Sequence, residues 1–133
     1  MNLNDSNLTM LAIDDAVSIQ LILRHYFQDE FTVYTFGNGT DALTWIQSGN
    51  IPDIIVADIN MPEMDGFTFI EHLKSSGLFC NIPLVVLSGI ESIDTKIRCL
   101  ELGADDFLVK PFNPRELSAR LNNILRRIEK SNS

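Results

Sequence analysis

The chain has few basic residues, little cysteine and no long apolar run. Its 133 residues hold 10 Lys and Arg against 18 Asp and Glu, a net charge of −8. Nucleic acid is gripped by stripes of Lys and Arg that neutralise phosphates, so direct nucleic-acid binding by this chain is not expected. The one basic cluster, Arg126-Arg127 with Lys130, is small. The two cysteines, Cys80 and Cys99, sit far from any C-x-x-C spacing. Neither a redox pair nor a thiolate metal centre follows from them, and they read as buried or half-buried thiols. His25 and His72 lack ligand spacing and read as helix residues. A membrane-spanning helix needs roughly 20 apolar residues, and nothing here approaches that length. The polar start M-N-L-N-D-S-N lacks the basic-then-apolar order of a secretory signal. The expectations are a cytoplasmic location and no membrane partner. Repeats and low-complexity segments are also missing, and the length fits one domain.

What is present is a regular alternation. Leu8 to Ile13 is a nearly continuous apolar run, a buried strand ending on Asp14-Asp15. Ile19, Ile22, Leu23, Tyr26 and Phe27 then recur at helical spacing. Phe31 to Phe36 alternates and is β-branched or aromatic, a strand nearer an edge, and Gly37-Asn38-Gly39 breaks it. Ala42, Trp45 and Ile46 mark a second helix, with Trp45 packed on the sheet. Ile54 to Asp58 is the central strand. Gly66 opens a third helix carrying Phe69, Ile70 and Leu73 toward the core, and Ile82 to Ser88 is the fourth strand. Ser92 caps a fourth helix whose apolar face reads Ile93, Ile97 and Leu100, with Gly103 as its stop. Asp106 to Lys110 is the fifth strand, and Pro111 prevents it continuing. Asn113, Pro114 and Glu116 form a capping-box start for the last helix, which turns Leu117, Leu121, Ile124, Leu125 and Ile128 inward. Residues 1–7 read as a disordered tail, 8–128 as the domain, and 129–133 as a polar tail or the start of a linker. Strands apolar throughout are covered on both faces. The fold class is therefore α/β, a doubly wound five-stranded parallel sheet with five helices.

Four strands end on chemically distinctive residues: Asp14 and Asp15, Asp58, Ser88 followed by Gly89, and Lys110. In an open parallel sheet the strand C-termini share one edge, and ligands bind there at the switch point in strand order. Residues distant in sequence thus converge. Carboxylates ~5 Å apart repel by about 3 kcal/mol per pair at an effective dielectric near 20. One lysine cannot offset three of them, so either a carboxylate is protonated or a cation binds. Oxygen ligands without His or Cys select Mg²⁺ or a similar ion. The expected ligands are Asp15 and Asp58 directly, Asp14 through water, and the Asn60 backbone carbonyl. A phosphoryl group arriving at Asp58 as nucleophile would find its oxygens met by Mg²⁺, by Lys110, and by the Ser88 hydroxyl and Gly89 N–H. The product would be an acyl phosphate that water can hydrolyse.

These motifs (I-D-D after strand one, D-I-N-M-P-E-M-D-G around Asp58, L-S-G after strand four, G-A-D-D-F-L-V-K-P-F at strand five) resemble the receiver domain of two-component response regulators. The likeness spans about residues 8 to 128. It implies the flavodoxin-like strand order 2-1-3-4-5 of this CheY-like superfamily and a cis Lys110-Pro111 bond. It implies that Asp58 takes a phosphoryl group, with Mg²⁺, from a sensor histidine kinase or phosphotransfer protein. The protein would be a signalling switch, not an enzyme beyond slow self-catalysed phosphoryl transfer and self-dephosphorylation. Ser88 would be the switch hydroxyl and Phe107 the switch aromatic, turning inward as Ser88 moves and repacking the face of the fourth helix, fifth strand and fifth helix. Asn60 and Ile90 would tune phosphoryl lifetime, with bulky Ile90 slowing the attack of water. The last helix is similar to those of receivers that dimerise through that same face. Glu116 and Arg120 would meet Lys96 and Asp106 across such a homodimer.

Three other readings compete. A haloacid-dehalogenase-type phosphohydrolase also uses an aspartyl nucleophile with Mg²⁺, but on the first strand in D-x-D and in a longer chain. A flavodoxin-like cofactor binder would need amides after strand one where Asp14-Asp15 would repel a phosphate. A degenerate receiver would act as a protein docking module without phosphorylation.

Overall fold

The computed structural model describes residues 8–132. Five strands alternate with five helices: β1 (Leu8–Ile13), α1 (Val17–Phe27), β2 (Phe31–Phe36), α2 (Gly39–Gln47), β3 (Ile54–Asp58), α3 (Gly66–Lys74), β4 (Leu84–Ser88), α4 (Ile93–Leu102), β5 (Asp106–Val109) and α5 (Pro114–Asn132). The strands form one sheet in the order β2-β1-β3-β4-β5, all parallel. This is the flavodoxin-like order that the motif resemblance implies. Residues 1–7, read as a tail, and residue 133 lie outside the described part.

Alternation along the strands divides the core in two, because successive side chains point to opposite faces. Met10, Ala12, Ile54, Val56, Val85 and Leu87 face the layer of α1 and α5, where Phe27, Leu117 and Leu121 meet them. Leu11, Ile13, Ile55, Ala57, Leu84 and Val86 face α2, α3 and α4, against Ile46, Phe69 and Leu73. Trp45 is half-buried, with its ring on Tyr34 and Phe36 of β2 at centroid distances of 4.8 and 5.7 Å. Cys99 is buried and Cys80 half-buried, both free thiols.

Two aspartates that precede strands close the sheet at its N-terminal edge. The Asp53 Oδ2 accepts the Thr9 N–H at 2.7 Å while its own N–H donates to the Thr9 carbonyl. Asp105 does the same with Leu84. Each clips the start of a neighbouring strand where the ladder would fray.

Several sequence expectations need adjusting. The fourth strand begins at Leu84 rather than Ile82, because Pro83 has no N–H for the ladder, although its carbonyl accepts from Ile55. The fifth strand ends one residue before Lys110. Glu116 does not reach back to close a capping box. Its carboxylate takes the Arg120 guanidinium, and among the described residues Asn113 Oδ1 accepts the Arg115 N–H at 2.8 Å at the start of α5. That helix runs to Asn132, past the expected polar tail at 129, since no Gly or Pro interrupts it. On α1, Leu23 and Phe27 are buried, but Ile22 and Tyr26 lie on the open flank.

The largest departure is on α4. Ile93, Ile97 and Leu100 have the spacing of a buried face, yet they are 68%, 44% and 41% exposed. Cys99 is the buried residue of α4. Helical spacing shows that a stripe shares one face, but not whether that face meets the sheet.

Candidate functional site

The order of the strands brings the ends of β1 and β3 side by side at the centre of the sheet, with Ile13 opposite Ala57. Asp14 and Asp58 each follow those residues. Asp58 is 6% exposed and Asp14 2%. Asp15 stands beside them, open to solvent. Oxygens of the three carboxylates all lie within 4.8 Å of one another.

Lys110 follows β5 two strands away and reaches back over β4. Its Nζ is 2.6 Å from Asp14 Oδ2 and 3.4 Å from Asp58 Oδ2. Its N–H donates to the Ser88 carbonyl at 2.7 Å, and the following bond to Pro111 is cis. The carboxylates have further partners. Asp14 Oδ1 accepts the Ala16 N–H at 2.9 Å, and Asp58 Oδ1 accepts the Asn60 N–H at 3.3 Å.

The charges do not balance. Burial pushes the Asp58 carboxyl above its usual pKa. Lys110 and the Asn60 N–H pull it down while the Asp14 charge pushes it further up, and the net shift is upward. Lys110 is also raised. Burial acts against the ammonium, but its bond and charge interactions with Asp14 and Asp58 outweigh it. One amine thus serves two buried carboxylates, with Asp14 taking the shorter contact. Three carboxylates with hard oxygen donors and one shared lysine fit a small divalent cation, and Asp15 faces the open side from which it would enter.

The remaining expected residues fall into two groups. Ser88 is fully buried at the end of β4, and its Oγ accepts the Ile90 N–H at 3.0 Å. An added Cβ at Gly89 would meet nothing within 4 Å, so this residue leaves the mouth open without being sterically required. Ile90 is 36% exposed at the rim, and the Asn60 side chain faces solvent. Phe107 is 6% exposed and packs with the layer on the α4 side, so its ring already lies inward. Away from the carboxylates, Arg120 binds Asp106 at 2.9 Å and Glu116 at 3.0 Å within the chain. Lys96 stays exposed on α4.

One residue of structural importance to the site escaped the sequence reading. Gly66, read only as the opening of a helix, packs directly against the backbone that carries Asp58. A Cβ there would lie 2.6 Å from Ile59 Cα and 2.7 Å from the Asp58 carbonyl oxygen. Asp65 caps the same helix through the Thr68 N–H, which fixes its first turn against the loop. The D-G pair after an Asp-bearing strand was the available signal.

A doubly wound parallel sheet with an acidic cluster and a lysine at its C-terminal edge puts those residues where open parallel α/β sheets bind their ligands. The response regulator receiver domain model matches residues 10–122, and the chain belongs to that family. It is 37% identical over 97% of its length to the cyclic di-GMP phosphodiesterase response regulator RpfG of Xanthomonas campestris, covering 35% of that protein. It is 38% identical over 91% of its length to the response regulator SaeR of Staphylococcus aureus, covering 52%. The chain thus spans about half or less of these relatives. Among solved structures, the receiver domain of Francisella response regulator 1452 superposes with a TM-score of 0.83 at 32% identity, over 92% of this chain and 99% of that one. Chemotaxis response regulator CheY4 of Vibrio cholerae gives 0.79 at 33%, over 92% and 99%. Membership sets aside the haloacid-dehalogenase and flavodoxin-like cofactor readings.

Proposed function

We propose that this domain is a phospho-accepting switch in which Asp58 takes a phosphoryl group from a phosphohistidine on a sensor kinase or phosphotransfer protein. The observation that carries this is a nearly buried carboxylate at the centre of the sheet edge, beside two more carboxylates and 3.4 Å from a lysine amine. An Asp58 carboxylate oxygen attacks phosphorus, the phosphorus–nitrogen bond of the donor breaks, and an acyl phosphate forms. Lys110 offers its amine to a phosphoryl oxygen. Asp15 and Asp58, with Asp14 through water and the Asn60 carbonyl, would hold the Mg²⁺ whose charge neutralises the incoming oxygens. Hydrolysis by water later returns Asp58. The location expected for this role is the cytoplasm.

Ser88 and Phe107 pass the event outward. The Ser88 oxygen already accepts from Ile90, which leaves its proton free to donate to a phosphoryl oxygen. The Phe107 ring, lacking a hydroxyl to keep hydrated, favours its buried place. The new charge therefore acts on packing around a ring already inside. Ile90 at the rim hinders water, so Ile90→Ala is expected to shorten the phosphoryl lifetime. An unchanged decay of the adduct would refute that role.

The face of α4, β5 and α5 is the output surface and pairs with a second copy. The intrachain Arg120 network there shifts the weight of the contact to Ile93, Ile97 and Leu100, with Lys96, Asp106, Glu116 and Arg120 setting charge around them.

The reading is tested by intact mass after incubation with Mg²⁺ and acetyl phosphate. Wild type is expected to gain one phosphoryl group (~80 Da, a covalent adduct), and Asp58→Ala is expected to gain none. A wild type that binds Mg²⁺ but forms no adduct with any donor would favour a docking module.

A further inference from the structure

The chain turns out of the sheet at Asp14, and each polar group of that residue has a partner. Its N–H donates to the Phe36 carbonyl at 3.0 Å. Its carboxylate takes the Ala16 N–H on one oxygen and the Lys110 amine on the other. Its carbonyl lies beyond Ile13, the last paired residue of β1, so its partner comes from outside the ladder. That partner is Gln20 on α1, whose Nε2 donates to the Asp14 carbonyl at 2.6 Å.

The contact is a built feature of the site. Gln20 is half-buried and turns back six residues instead of pointing into water. A carbonyl only accepts, so the side-chain amide must present its nitrogen. The peptide between Asp14 and Asp15 is also the lever of the acidic cluster. Rotating its plane would swing the Asp15 carboxylate relative to Asp14 and Asp58. A donor fixed on the carbonyl fixes that plane. A neutral amide does so without adding another charge beside the three carboxylates and Lys110.

We propose that Gln20 is a positioning residue for the acidic site: by holding the Asp14 carbonyl it sets how Asp14 and Asp15 present their carboxylates to a divalent cation. The inference rests on the phospho-acceptor reading above and adds a residue that the reading does not contain. Groups that orient metal ligands from outside the coordination sphere commonly change affinity about 10-fold or more when removed.

The test compares wild type, Gln20→Met and Arg24→Met. Methionine keeps length and helix propensity while removing the donor. Arg24 lies one turn further along α1, and its Nη2 donates to Thr35 Oγ1 at 2.8 Å, so Arg24→Met removes a hydrogen bond of the same helix away from the carboxylates. Mg²⁺ affinity is read by calorimetric titration. Phosphoryl uptake from acetyl phosphate is read at low and saturating Mg²⁺, and thermal melts follow folding. Gln20→Met is expected to bind Mg²⁺ about 10-fold more weakly, to take phosphate slowly at low Mg²⁺, and to recover most of its rate at saturation. Arg24→Met is expected to match wild type. Equal Mg²⁺ affinity in Gln20→Met and wild type, or an equal loss in Arg24→Met, would overturn the positioning role. A wild type that neither binds Mg²⁺ nor gains a phosphoryl group would instead bring down the phospho-acceptor reading, and the proposal with it.

Discussion

At the scale of single residues, the site holds charge at a cost to stability. The Asp58 carboxyl is raised above 3.8, chiefly by burial. For an acid the sign is direct. The fold prefers the neutral form, so stability declines as pH rises from 3.8 through the folded-state value, and the full cost is present only above that value. With divalent cations chelated, Asp58→Asn is therefore expected to melt above wild type at pH 7. The gap should close as pH falls toward 3.8, and melts across that range measure it. Lys110 is raised as a base, so its contribution is complete below 10.5 and lost only as pH rises past its folded value. Gly66 makes the complementary case for shape. Its missing Cβ is what lets α3 approach the Asp58 backbone. Gly66→Ala should cost about 1–3 kcal/mol, as overpacked sites do, and denaturant unfolding reads this directly. Wild-type stability in that variant would show that the helix can shift freely.

At the scale of elements, α3 and α4 differ in what they do with their apolar residues. Phe69 on α3 is fully buried, and Phe69→Ala is expected to cost about 3–5 kcal/mol, as large-to-small core changes do. Ile97 on α4 is 44% exposed with Ile93 and Leu100 beside it. Ile97→Ser should stay within about 0.5 kcal/mol of wild type, as surface substitutions usually do, yet weaken self-association of the phosphorylated domain in sedimentation. A loss of stability like that of Phe69→Ala would return Ile97 to the core. Unchanged association would remove α4 from the contact. The stripe was legible in the sequence. Its direction was not, because α4 turns Cys99 to the sheet instead.

At the scale of the whole molecule, the sheet joins the carboxylates to a face on its far strand. Lys110 and Ser88 link through the backbone bond of 2.7 Å, and Phe107 of β5 lies in the core layer that also holds Cys99 of α4. Phe107→Ala should leave phosphoryl uptake by Asp58 near wild type while uncoupling it from association. Parallel mass and sedimentation measurements separate the two. Coupling that survives the substitution would mean that the ring carries none of it.

The sequence by itself determined the alternation of strands and helices, the sheet class, and the convergence of Asp14, Asp15, Asp58, Ser88 and Lys110. Local pattern carries that much because apolar runs set strands and parallel strands place their ends on one edge. The tertiary structure decided what depends on neighbours distant in sequence. It paired Lys110 first with Asp14 and more loosely with Asp58, enclosed Arg120 between Asp106 and Glu116, and turned Ile93 outward and Phe107 inward. It also pressed Gly66 against Asp58 and brought Gln20 back to the Asp14 carbonyl. A spacing rule shows which residues share a face. What that face meets is settled only when the packed layers compete for it.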